Sequence, residues 1–143
     1  MFFIYQLTVT FLLILSPIII LFRILKNKED KKRFKEKFSF PTKKRIDGKL
    51  IWFHGASVGE IMSIIPLIKN YEKNKSISQI LITSSTLSSS KVIKKFNFKK
   101  TIHQFYPVDY FIFTNKFLKF WKPNLAIFIE SEIWPCMFTK IKD

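Results

Sequence analysis

The sequence predicts an α/β protein in which an amino-terminal membrane helix precedes a partial Rossmann-like domain built on a parallel sheet. Three observations carry that reading. Residues 2–22, FFIYQLTVTFLLILSPIIILF, hold no charge, and as a helix they would span about 31 Å, matching the roughly 30 Å hydrocarbon core of a bilayer. Four short apolar runs follow at a distance: LIWF at 50–53, ILIT at 80–83, IHQFY at 102–106 and LAIFI at 125–129. Between these runs lie stretches with helical spacing, and strands alternating with helices read as successive βαβ units.

The first element is an anchor. Pro17 would kink it, which membrane helices tolerate. A cleaved signal peptide would want a basic stretch before the apolar run and an Ala-x-Ala site after it, and neither is present. Residues 23–45 then hold eleven basic side chains against three acids, Glu29, Asp30 and Glu36. By the positive-inside rule this puts the body of the protein in the cytoplasm, behind a single membrane crossing. The basic run reads either as a solvated helix or as a segment resting on anionic headgroups. The expected organisation is therefore an anchor at 1–22, a basic juxtamembrane linker at 23–48 and a Rossmann-like domain at 49–143.

Within that domain three of the four runs are nearly continuous in apolar character and too short for core helices, as parallel strands covered on both faces should be. Ile61, Ile64, Ile65 and Ile68 follow the i, i+3, i+4, i+7 template, with Pro66 expected to kink that helix. A helix is predicted from Ser88 to Lys95. Another is predicted from Tyr110 to Phe120, with Asp109 as its N-cap and Lys122-Pro123 closing it. A sheet that stops after its fourth strand leaves an edge unpaired, so the chain is expected to be part of something longer.

Composition narrows the function classes. Of 143 residues 25 are Lys or Arg and 10 are Asp or Glu, a formal charge of +15. One cysteine, Cys136, cannot build an internal disulfide framework, and there is no Cys/His metal pattern. The abundance of Ile, Lys, Phe and Asn also fits an AT-rich genome, which produces basicity without an anionic partner. A basic module binding anionic lipid or nucleic acid is the rival reading. Against nucleic acid, the basic residues cluster beside the apolar span and the Phe lie in apolar runs, unlike an aromatic-interleaved binding surface. A nicotinamide-dependent dehydrogenase would want G-x-G-x-x-G after the first strand and an acid after the second, and both are missing.

In open α/β sheets ligands bind beyond the carboxyl ends of the strands. After the first strand comes His54-Gly55-Ala56-Ser57-Val58-Gly59-Glu60. Ser57 and Glu60 form the S-x-x-E signature of a capping box. The functional alternative is an ionised carboxylate at a helix N-terminus, able to take a proton from a hydroxyl. The two compete, because a Glu folded onto the Ser57 amide is not free to act as a base. His54 reads as a hydrogen-bonded core residue. After the second strand, Thr83, Ser84 and Thr86 open a Ser/Thr loop that either caps a helix or holds phosphate or sugar hydroxyls. The fourth strand ends in Glu130-Ser131-Glu132-Ile133-Trp134-Pro135, two carboxylates with no His near enough for a strong metal reading. Trp134-Pro135 reads as packing and turn.

In combination the apolar anchor, Lys28-Glu29-Asp30, IWFHGASVGE at 51–60, the loop at 83–90, Pro107-x-Asp109 and ESEIWP at 130–135 resemble the amino-terminal part of the bacterial Kdo transferases. Those enzymes move 3-deoxy-D-manno-octulosonic acid (Kdo) from CMP-Kdo to the lipid A precursor. The resemblance implies a two-domain GT-B glycosyltransferase fold at the inner membrane, with no metal and no cofactor beyond the sugar donor. It implies that Glu60 is the catalytic base of an inverting transfer, supported by Ser57, Gly59 and Glu130. Thr83, Ser84, Thr86, Lys31, Lys32 and Arg33 are expected to meet the acceptor or the loop around it. Cys136 stands where the family usually has Asn, and Ser88 to Ser90 replace a loop that commonly carries Gly. The donor domain is expected to lie outside these residues, so the activity is that of the full protein.

Overall fold

The computed structural model describes residues 2–129 and 134–141. Helix α1 runs Phe2–Leu25 and meets the length and hydropathy of a membrane span over Phe3–Leu25. It turns out of helix at Asn27, whose φ is 54°. Strands β1 (Leu50–His54), β2 (Gln79–Ser84), β3 (Thr101–Phe105) and β4 (Leu125–Phe128) alternate with α2 (Val58–Lys73), α3 (Leu87–Lys94), α4 (Phe111–Trp121) and α5 (Pro135–Ile141). Every observed pairing is parallel and the order is β3-β2-β1-β4. The predicted α/β class and parallel sheet are therefore what the chain forms.

The sheet is covered on both faces, which is why β1 and β2 are buried throughout and carry apolar centres at Leu50–Phe53 and Ile80–Ile82. Ile51, Phe53, Ile80 and Ile82 meet Ile61, Ile64, Ile65 and Ile68 of α2 on one face. Trp52 and Leu81 meet Phe117, Trp121 and Met137 on the other. Pro66 is accommodated inside a helix that stays continuous from Val58 to Lys73. Lys122, with φ 43°, closes α4 in the left-handed conformation expected of a helix end.

Two expectations need correction. Asp109 does not cap α4, whose N-cap is Tyr110 with no side-chain hydrogen bond. Its carboxylate instead accepts from Cys136 N at 2.9 Å and Met137 N at 2.8 Å, capping α5 from a loop 27 residues earlier. This satisfies amides at a helix start that would otherwise be buried unpaired. The juxtamembrane stretch also does not behave as a bare linker. It folds through a 3-10 helix at Phe34–Phe38 and buries two of its four acids, Glu29 and Glu36.

Glu36 is fully buried and joined by both carboxylate oxygens to the Arg33 guanidinium, each at 2.9 Å. It also accepts from Phe105 N at 2.8 Å and from the Thr42 hydroxyl. Arg33 in turn donates to His103 O at 2.7 Å and Ser90 Oγ at 3.0 Å. Side chains thus take up an N–H and a C=O on the side of β3 away from β2, where a further strand would have bonded.

Candidate active site

The strand ends and the loops that follow them make one edge of the molecule. At its centre the chain leaves β1 through Gly55, Ala56 and Ser57 and enters α2. Ser57 is the N-cap, with its hydroxyl accepting from Glu60 N at 3.3 Å. Glu60 folds back so that Oε2 accepts from Ala56 N at 2.8 Å and Oε1 from Ser57 N at 3.2 Å. The capping box read from the sequence is therefore complete. Partial burial raises the pKa of Glu60, but the Ser57 hydroxyl, the Ala56 and Ser57 amides and nearby His54 outweigh it and hold the group below its ordinary value. The result is an ionised carboxylate, half-buried and oriented, at the amino end of a helix whose dipole favours its charge.

Gly55, one of the two glycines of the turn, makes this fold-back feasible. A Cβ there would stand 3.2 Å from both Glu60 Cβ and Ile61 Cδ1. Gly59 is different, since a Cβ would meet only the Ser57 hydroxyl at 3.9 Å, so a small side chain fits.

Beneath the turn, His54 is 2% exposed and bonded through Nδ1 to Thr83 Oγ1 at 2.9 Å. Its ring lies 3.9 Å from that of Tyr106, centroid to centroid, and Trp134 packs 5.0 Å from Tyr106. The core reading of His54 and the packing reading of Trp134 both hold. Burial pulls the pKa of His54 down to about 4, against opposing effects of Thr83 and Glu60. His103 is lowered to about 3, by burial first and then by the Arg33, Lys94 and Lys43 charges. Unfolding returns each imidazole to about 6.5. Stability is therefore complete above about pH 6.5 and falls as acid is added, because the unfolded chain then binds protons that the folded chain refuses. Chemical denaturation between about pH 6.5 and 4.5 should give a slope of about 1.4 kcal/mol per pH unit for each histidine. A flat profile there would mean that both rings charge within the fold.

The remaining predicted residues separate. Thr83 and Ser84 are the last residues of β2 rather than loop residues, and both are fully buried. Thr83 Oγ1 accepts from Trp52 Nε1 at 2.8 Å, and Ser84 Oγ bonds His103 Nε2 at 2.8 Å. Their hydroxyls are committed inside because β2 extends one residue beyond its apolar run. Thr86 is exposed and caps α3, accepting from Ser89 N at 3.2 Å. Lys31 and Lys32 are exposed, whereas Arg33 is spent on Glu36, Ser90 and His103. Glu130, with residues 131–133, lies outside the described residues.

A cavity of about 380 Å³ opens along the same edge, walled mainly by apolar side chains of α1 on one side and by Ser85, Tyr106, Pro107, Val108 and Trp134 on the other. Two buried groups on these elements have no protein hydrogen-bond partner among the described residues: the Gln104 amide and Trp134 Nε1. Gln104 carried little signal in the sequence, because β3 also holds Thr101 and His103 and is the least apolar of the four strands. Among the described residues no group of three or more His, Cys, Asp or Glu is arranged to hold a metal.

Comparison with known proteins agrees with the motif arrangement. The family model described as 3-deoxy-D-manno-octulosonic-acid transferase (kdotransferase) matches residues 32–143. A 3-deoxy-D-manno-octulosonic acid transferase of Rickettsia felis is 54% identical over 87 residues, which are 61% of this chain and 19% of that protein. The Rickettsia bellii protein of the same name is 45% identical over 82% of the chain and 28% of its own length. A probable mitochondrial 3-deoxy-D-manno-octulosonic acid transferase of Arabidopsis thaliana is 42% identical over 84% of the chain and 28% of its length. The chain thus spans under a third of the curated relatives it matches.

Proposed function

Because the chain belongs to the Kdo transferase family, we propose that the full protein transfers Kdo from CMP-Kdo to the lipid A precursor at the cytoplasmic face of the inner membrane, in a two-domain GT-B arrangement. The observation that carries the mechanism is the Glu60 carboxylate, ionised and fixed at the amino end of α2 on the ligand-binding edge. An acceptor sugar hydroxyl seated against Glu60 attacks the anomeric carbon of Kdo. The carbon–oxygen bond to the CMP phosphate breaks, its electron pair leaves with CMP, and the hydroxyl proton passes to Glu60. Attack opposite the departing group inverts the anomeric centre.

A carboxylate with a lowered pKa is a weak base towards a free alcohol. It becomes an adequate one late in the attack, when the forming bond makes the hydroxyl proton acidic. Ser57 and the Ala56 and Ser57 amides fix its position, and no metal is required for that step. Glu130 is assigned a supporting place in the same cleft, and Gly59 allows close approach at the helix start. Thr86 is an exposed hydroxyl of the second loop that a ligand can reach, beside Ser85 on the cavity wall, with Thr83 and Ser84 acting from inside.

Lys31 and Lys32 are proposed to meet anionic headgroups and the phosphorylated acceptor, each contributing on the order of 1 kcal/mol near an anionic surface. The test is the purified full-length protein in vesicles with CMP-Kdo and the lipid A precursor, following CMP release and acceptor mass. Acceptor heavier by one or more Kdo units is the expected result, and CMP release without acceptor modification would sink the proposal. Reversing the charge of Lys31 and Lys32 should raise acceptor KM with kcat little changed. An unchanged KM would remove these lysines from acceptor binding.

A further inference from the structure

The length of α1 suggests a crossing, but its contacts do not. Near its amino end Tyr5 OH donates to Asp109 Oδ2 at 2.7 Å, and Gln6 Nε2 donates to Cys136 Sγ at 2.6 Å. In its middle, Ser16, Pro17 and Ile20 share a pocket with Phe34 and Phe38. At its carboxyl end Arg23 Nε donates to Glu29 Oε2 at 3.0 Å, where Lys37 also binds at 2.6 Å. Tyr5 and Arg23 are about 27 Å apart along the helix axis. A helix standing across the bilayer with Arg23 among the headgroups would put Tyr5 at the opposite face. Asp109, the end of β3 and the start of α5 would then have to follow it through hydrocarbon. Carboxylates and loop backbone cannot be held there without a large desolvation penalty.

The surface pattern of α1 gives the alternative. Tyr5, Val9, Leu13, Ser16, Ile20 and Ile24 are half-buried and recur at helical spacing, forming the stripe that meets the domain. Phe3, Leu7, Phe11, Ile14, Ile18 and Phe22 form the opposite stripe and are 56–76% exposed. That apolar face does not end with the helix. Tyr110 shares a shallow pocket with Phe3, Leu7 and Phe11, and the adjoining Phe111 and Ile112 are 48% and 60% exposed. Lys26, Lys28, Lys31 and Lys32 are exposed just beyond its carboxyl end, where a cation can meet an anionic headgroup.

We infer that α1 lies flat in one leaflet, its outer stripe among phospholipid acyl chains and its inner stripe on the carboxyl edge of the sheet, so that this edge faces the membrane. The domain takes the place of the polar face that an isolated interfacial helix would carry. The occupant is lipid because the face is continuous over two elements, apolar except for Thr8 and Thr10, whose hydroxyls donate to the Ile4 and Gln6 carbonyls of the helix itself, and bordered by lysines that make no ion pair among the described residues. The inference does not depend on which sugar is transferred.

Depth measurement tests it. Nitroxide labels on Phe3→Cys, Phe11→Cys, Ile18→Cys and Phe22→Cys, each in a Cys136→Ser background, are read in the full-length protein in vesicles of phosphatidylethanolamine and phosphatidylglycerol. Relaxation by oxygen against a water-soluble nickel chelate gives the depth of each. All four should lie below the headgroups at depths agreeing to within about 5 Å, half the width of a helix. A crossing helix would place Phe11 about 12 Å deeper than Phe3, with depth falling again by Phe22, and would overturn the inference. Labels shielded from oxygen or relaxed mainly by nickel would overturn it too, as a face covered by another protein or by water.

Discussion

Glu60→Gln should lower transfer by the full-length protein on the order of 10²- to 10⁴-fold, the usual worth of a positioned base, while leaving it folded and membrane-bound. Gln is the informative replacement because a capping box accepts Glu or Gln at this position. The side-chain oxygen can still take one of the two amides that Glu60 now accepts, from Ala56 and Ser57. The loss of the second bond and of a charge at the helix start should cost about 1 kcal/mol. Stability and catalysis therefore separate in this variant, whereas Glu60→Ala removes both. The measurement is kcat alongside a urea midpoint. A Gln variant with near-normal kcat would make Glu60 a cap and nothing more, and the base would have to be sought elsewhere on the edge.

Arg33→Met should destabilise the fold by about 3–5 kcal/mol, and Glu36→Ala by a similar amount, because each leaves a charge buried without its partner. For Glu36 the argument is strongest, since its side chain is fully buried and its two oxygens also serve Phe105 N and Thr42. Lys31→Met, two positions from Arg33 and exposed, should change stability by less than about 0.5 kcal/mol. Urea unfolding of the single variants and of Arg33→Met/Glu36→Ala closes a double-mutant cycle. The double variant should lose less than the sum of the singles by about 0.5–3 kcal/mol. Single variants indistinguishable from the parent would mean that the pair is not what holds residues 29–40 against the sheet.

What the sequence disclosed depended on how far each residue reaches. Strands β1 and β2 were legible because burial on both faces writes them as unbroken apolar runs. The capping box was legible because Ser57 and Glu60 lie three residues apart. Asp109 was misread because the N-cap rule looks forward to the next helix, while its partners, Cys136 and Met137, are one strand further along. Glu36 and Arg33 looked like members of a charged run, because their contacts to Phe105 and His103 lie 69 and 70 residues away. Thr83 and Ser84 were taken for loop hydroxyls because β2 extends past its apolar residues and closes on polar ones, with His54 and His103 as partners. The contacts that make the capping box at Glu60 also keep its carboxylate charged, so the observed cap and the proposed base draw on one arrangement.

The outer margin of β3 is closed by side chains. With Phe105 N given to Glu36 and His103 O to Arg33, that margin is sealed by side chains and offers little to an incoming strand. The other margin, β4, carries no such seal among the described residues and is the less deeply buried of the two. Among the described residues, β4 is therefore the margin at which a further strand, from the same polypeptide or another, registers more readily. Pairing of two copies through β3 would first have to break a buried ion pair.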